Sequence, residues 1–231
     1  MTADLDAPVR THPVFRVLRL VFAALGVVAL AWIPVRNIGV DTFSIANYFS
    51  YFTILSNVLA VTVLLVGAVV DPQTVRWQLF RGATTLYMVI TGIIYAVLLA
   101  DVDVQLTDRW INDTLHRYLP LVILLDWMIN PPRTPIADRQ SVTWLWFPLT
   151  YGVYTLVRGP IVDWYPYPFI DPRVQGYWQM AIGLVVLLLA FVLMALAVNA
   201  AGRLAGRWRY GGRTRPATPE EIEVGERVIE S

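Results

Sequence analysis

Six apolar segments, at residues 14–33, 45–70, 82–99, 110–129, 141–158 and 177–198, occupy most of this 231-residue chain. Each is close to the roughly 20 residues needed to cross a bilayer's hydrocarbon core. Inside lipid every backbone N–H and C=O must be paired within the protein, so long uninterrupted apolar segments fold as helices. Only 15% of the residues are charged and 57% are apolar, against about 25% charged in soluble domains. The expected fold is all-α, a polytopic bundle of six transmembrane helices in the cell membrane. Pro34, Asp71-Pro72, Asn130-Pro131-Pro132 and Gly159-Pro160 fall between the segments, where helices are expected to stop.

All eighteen basic residues are arginine, and their distribution predicts the topology. Thirteen fall on one side of the alternating segments: Arg10, Arg16, Arg19, Arg76, Arg81, Arg133, Arg139, Arg203, Arg207, Arg209, Arg213, Arg215 and Arg227. By the positive-inside rule that side is cytoplasmic, so both termini are inside and the loops near Arg36, Asp103 and Trp164 are outside. Ala29-Leu30-Ala31 resembles a signal-peptide cleavage site, but removing the first segment would leave five spans and spoil the arginine bias. The expected organisation is a cytoplasmic segment at 1–13, a six-helix domain at 14–201 and a disordered cytoplasmic tail at 202–231. That tail is basic from Arg203 to Arg215 and acidic from Glu220 to Glu230. Its arginines suit either anionic lipid or ordinary cytoplasmic anchoring.

Composition excludes several chemistries. No cysteine is present, so there is no disulfide, thiolate nucleophile or iron–sulfur ligation. His12 and His116 are the two histidines, too few for a histidine-rich metal site, and His12 lies outside the apolar segments, which disfavours a haem held by both. No cofactor, metal or nucleic-acid partner is expected. Nucleotide-binding loops, the nucleophile elbow of α/β-hydrolases and the paired histidines of zinc proteases are also missing.

Ionisable groups within a span are functional candidates because hydrocarbon penalises them. In the fourth segment Arg109, Asn112, Asp113, His116, Arg117 and Pro120 recur at helical spacing on one face. Pro120 has no N–H for the carbonyl of His116, which predicts a bend there. A helix starting near Trp110 puts His116 roughly 9 Å below the outer interface, and one starting at Ile45 puts Thr53 roughly 12 Å below it. Asn57 lies one turn beyond Thr53. A hydroxyl and an imidazole at similar depth suit nucleophilic chemistry, the histidine taking the hydroxyl proton and returning it to the leaving group. Asn112 or Asp113 would fix the tautomer. The plainer alternative is that Thr53 bonds its own preceding turn or joins two helices. Asp126, about ten residues or 15 Å further along the helix, is expected as a buried neutral acid or an ion pair.

Three blocks carry a family resemblance. Tyr51-Phe52-Thr53; Ile111-Asn112 with His116, Leu119-Pro120 and an aliphatic run to Asp126; and Arg158-Gly159 with Trp164 and Tyr167-Pro168-Phe169-Ile170-Asp171 occur in order. The chain resembles the androgen-induced and androgen-dependent TFPI-regulating membrane proteins and their actinobacterial relatives. That resemblance implies a six-helix intramembrane hydrolase of fatty-acid esters, with Thr53 as nucleophile and His116 as general base. It also implies membrane lipids and a lipid ester as partners.

Tyr51 and Trp164 fit either an acyl-chain rim or an interfacial aromatic belt. Arg158 with Asp163 fits either a reader of the lipid head group or a surface ion pair. A second reading takes the same polar cleft as the site of a non-enzymatic transporter or lipid-binding protein, though a paired acidic relay across the membrane is missing.

Overall fold

The computed structural model of the chain describes residues 11–99 and 108–210. Within them every regular element is helical: α1 Pro13–Arg36, α2 Ile45–Tyr48, α3 Phe52–Val69, α4 Val75–Ile94, α5 Arg109–Asp113, α6 Leu119–Ile129, α7 Asp138–Val142, α8 Trp146–Val162, α9 Pro172–Gln175 and α10 Tyr177–Tyr210. Two wide π-type turns, Tyr95–Leu99 after α4 and Thr114–Tyr118 between α5 and α6, continue the helices that carry them. Four runs are long and apolar enough to cross a membrane: Pro13–Arg36, Phe52–Val69, Val75–Leu99 and Tyr177–Tyr210. The most apolar stretch of α10 is only 11% buried, so most of its side chains face outward, as a lipid-facing helix requires. The segments at 110–129 and 141–158 form the interrupted runs α5–α6 and α7–α8. The expected outer loop near Asp103 lies outside the described residues.

α1 lies along α3, α4 packs between α3 and α6, and α10 covers α4 and α6. Arginines of α1 close the C-terminal end of α3, where the last carbonyls of a helix lack intrahelical partners. Arg19 Nη1 donates to Gly67 O at 2.8 Å, and Arg16 donates to Ala68 O at 2.6 Å and Val69 O at 2.8 Å. Arg19 also grips Asp126 of α6 through Nε at 2.8 Å and Nη2 at 3.1 Å. Arg81 of α4 reaches the same carboxylate at 2.9 Å. Asp126 is therefore the ion pair of the two expected states. Arg19, inside the first apolar segment, and Arg81, at the edge of the third, are counted in the sequence only as charges of the cytoplasmic side; they are buried side chains that fasten three helices together.

Several expected boundaries shift for identifiable reasons. Pro34 does not stop α1, because the Leu30 carbonyl that it leaves without a partner accepts the Tyr48 hydroxyl at 2.7 Å. Pro160 likewise lies inside α8, which ends at Asp163 in the left-handed region (φ 52°). The single helix predicted over 45–70 breaks at Phe49–Tyr51, and α3 starts afresh at Phe52. The tail predicted to be disordered from 202 is helical through Tyr210. Gly202 packs on the Trp127 ring, Arg203 pairs with Asp138 at 2.6 Å and Arg209 donates to Ile129 O at 2.7 Å. At about 1.5 Å per residue the 34 residues of α10 are longer than a 30 Å hydrocarbon core. Residues 211–231 and 1–10 lie outside the described residues.

Candidate functional site

The break before α3 builds the site. Phe52 and Thr53 open the helix, so their N–H groups have no intrahelical acceptor, and two tyrosines supply one. Tyr151 on α8 accepts the Phe52 N–H at 3.2 Å while donating to Ser50 O at 2.9 Å. Tyr167, from the connection after α8, accepts the Thr53 N–H at 3.3 Å. Thr53 is thus pinned in the first turn of α3, rather than two turns into a longer helix as the predicted 45–70 segment implies.

The other half comes from the turn Thr114–Tyr118. Pro120 cannot donate to His116 O, and the wider i→i+5 pattern absorbs the loss, with the Leu119 N–H bonding Thr114 O. Gly92 of α4 lets that turn approach: a Cβ there would lie 3.3 Å from Pro120 Cβ and 3.5 Å from His116 O. The imidazole points at α3. His116 Nε2 lies 3.3 Å from Thr53 Oγ1, and both side chains are buried. Nδ1 lies 3.1 Å from the Asn112 carbonyl oxygen. A carbonyl only accepts, so Nδ1 carries the ring proton and Nε2 turns its lone pair toward the threonine. Tyr167 Oη, 3.4 Å from Thr53 Oγ1, completes a line of polar groups from Tyr167 through Thr53 and His116 to Asn112 O. The Tyr95 ring stacks on the imidazole, with centroids 4.3 Å apart at 22°.

The remaining predicted residues divide. Asn57 clamps the site without touching the imidazole: Nδ2 donates to Thr53 O at 2.8 Å and to Leu115 O at 3.1 Å. The Asn112 side chain does not orient His116, as its spacing suggests it should; it donates to Tyr95 Oη at 2.5 Å and so holds the stacked ring. The Asp113 side chain is also off the imidazole, accepting from Arg117 at 2.7 Å. Asn112 still reaches the ring through its backbone carbonyl, four residues before His116, while both side chains take other partners: Tyr95 Oη from α4's continuation and the Arg117 guanidinium one turn on.

Arg158 does not pair with Asp163, which takes Arg173 instead. It donates to Asn47 Oδ1 at 2.7 Å and lies 5.5 Å from the centroid of the Trp164 ring. Trp164 meets Tyr51 edge-on at 5.4 Å, and Tyr51 meets Tyr167 at 5.8 Å. These residues form an aromatic stack that buttresses Tyr167. In the same connection, the hydrogen-bonded Arg173 guanidinium holds the Asp171 carboxyl below the usual carboxylate range.

Sequence reasoning does not find Tyr95 or Tyr167 as site residues. Tyr167 lies in the third resemblance block, but nothing in its spacing aims it at Thr53. Thr53 also borders a cavity of about 310 Å³ between α4, α8 and α10. Comparison with protein-family models, curated proteins and solved structures returns no match to this chain.

Proposed function

We propose that this protein is an intramembrane lipid-ester hydrolase, a six-span bundle with both termini in the cytoplasm and its site in the outer half of the membrane. The observation that carries the reading is the buried Thr53–His116 pair, at 3.3 Å, with the ring nitrogen that faces the hydroxyl free to accept its proton. That distance is at the long end for a hydrogen bond and is usual for a nucleophile and base awaiting substrate. The arginine distribution and the outward-facing apolar surface of α10 support the membrane setting.

In this mechanism His116 Nε2 removes the Thr53 proton as Oγ1 attacks the ester carbonyl. The negative charge that develops on the carbonyl oxygen needs nearby donors. The Tyr167 hydroxyl is a candidate donor, and so is the Thr53 N–H at the positive end of α3 once the oxyanion replaces Tyr167 Oη as its acceptor. Collapse expels the alcohol, which takes the proton from His116 and leaves an acyl-threonine. Water, deprotonated by the same nitrogen, then releases the carboxylic acid and restores the hydroxyl. No metal or cofactor enters either step.

The test is turnover of a long-chain fatty-acid ester by protein purified in detergent. Thr53→Ala and His116→Ala should each abolish hydrolysis, the double variant should be no worse than either single, and Thr53→Ser should retain part of the rate. Undiminished turnover in folded Thr53→Ala protein would remove the mechanism and leave the lipid-binding or transporter reading in its place.

A further inference from the structure

The cavity beside Thr53 has walls that tell what it can hold. Ile90 and Ile94 of α4, Leu156 of α8, and Leu184, Leu188 and Phe191 of α10 give it an almost wholly apolar lining. Its polar exceptions are few and mostly spent. The Thr91 hydroxyl donates to Tyr87 O at 2.9 Å, and Tyr151 is committed to Ser50 O and the Phe52 N–H. Thr53 and Tyr167 are left at one spot on the wall. A site of this kind offers nothing to a polar ligand along its length and one reactive point to a chain that carries a carbonyl.

The cavity opens sideways. α8 and α10 flank it without packing closely against each other. The side chains at its lips are exposed on the apolar surface of the bundle: Val153 by 63%, Val185 by 59% and Leu149 by 45%. Gly152, on the α8 wall, puts no side chain into this space, and a Cβ added there would point into the open with nothing within 4 Å. A glycine inside an α-helix costs about 1 kcal/mol relative to alanine. No close neighbour and no positive φ accounts for it at this position.

We propose that this cavity is a binding site for a single unbranched acyl chain, which enters laterally from the lipid between α8 and α10 and brings its carbonyl carbon to Thr53. Gly152 is the residue that keeps the slot open. The carbonyl's destination rests on the Thr53–His116 reading, whereas occupancy of the slot does not.

The experiment uses the full chain in lipid nanodiscs and a sixteen-carbon fatty acid bearing a diazirine near its methyl end. Irradiation should label peptides of α8 and α10 that face the cavity. Gly152→Phe should lower this labelling about tenfold, the effect of excluding roughly two methylenes from an apolar site. Gly183→Phe is the control, because Gly183 of α10 also has free space around it and does not border the cavity. Leu188→Trp narrows the slot from the opposite wall, so a folding defect in one variant leaves the other to decide. Labelling spread evenly over lipid-facing residues such as Val17 and Val21, unchanged by either filling variant, would overturn the proposal. So would cross-linked dimers joined through α8 and α10 that the fatty acid fails to displace, since a second helix would then own the slot.

Thr53→Ala should keep full labelling. If the wild-type protein hydrolyses no ester and labelling still behaves as stated, the catalytic reading fails and the acyl site stands. With hydrolysis present, Gly152→Phe should lose long-chain esters while retaining acetyl esters, whereas Thr53→Ala loses both.

Discussion

Replacing Asp126 by asparagine tests the charge cluster at the end of the bundle opposite Thr53. The carboxylate accepts from Arg19 Nε at 2.8 Å, Arg19 Nη2 at 3.1 Å, Arg81 Nη2 at 2.9 Å and Asn130 Nδ2 at 3.2 Å. Its side chain is 10% exposed and those of Arg19 and Arg81 are 5% and 7% exposed, so little water is available to take over. Asparagine has nearly the same shape but removes the charge and turns an amide N–H₂ toward one guanidinium. Arg19 then retains Asp71 at 3.5 Å and Gly67 O, while Arg81 retains Gln78 and Asn130 O, all weaker or neutral partners. Leaving a buried charge uncompensated costs about 3–5 kcal/mol, whereas an exposed pair is worth about 0.2–1 kcal/mol. The expected loss is therefore about 3–5 kcal/mol, read as an equilibrium unfolding shift in mixed micelles by tryptophan fluorescence. Arg81→Met in the Asp126→Asn background should cost less than the sum of the singles, with a coupling of roughly 0.5–3 kcal/mol, because it removes the stranded cation. A loss under about 1 kcal/mol with additive singles would show that the cluster behaves as a surface pair and would refute this account of how α1, α4 and α6 are joined.

Other outcomes follow from the site. Tyr167→Phe removes the acceptor of the Thr53 N–H at a stability cost of about 1 kcal/mol. It should slow ester hydrolysis by about 10²-fold where the hydroxyl stabilises the developing oxyanion, and an unchanged rate would limit Tyr167 to capping α3. Asn112→Ala should lower activity by releasing the Tyr95 ring, while Asp113→Ala, which loses only its pair with Arg117, should change it little; parity between them in a turnover assay would contradict that division. Gly92→Leu should destabilise by about 1–3 kcal/mol and reduce turnover, since its side chain meets Pro120 and the His116 carbonyl; wild-type unfolding and activity would contradict that close approach. Reporter fusions at the C-terminus should be active only in the cytoplasmic sense, and the opposite result would reverse the proposed topology.

The apolar segments and the eighteen arginines make the helical, membrane-compatible character of the chain legible without coordinates, because hydropathy and charge act over whole segments and need no partner. Thr53, His116 and the proline that disturbs the helix after it are legible for a similar reason: a polar group in an apolar run has no local excuse. Tertiary structure decided what such groups do. Pro34 and Pro160 stay inside helices, and for Pro34 the Tyr48 hydroxyl, eighteen residues from the freed Leu30 carbonyl, makes good the missing hydrogen bond. The start of α3 depends on Tyr151 and Tyr167, each about a hundred residues away in sequence. Spacing misplaces the Asn112 and Asp113 side chains because it cannot tell which partner each will take: Tyr95 Oη, on a segment distant in the chain, claims one and Arg117 the other. Periodicity along one helix fixes which residues share a face, but which face meets which partner is set by packing between segments distant in the chain, and no local pattern records it.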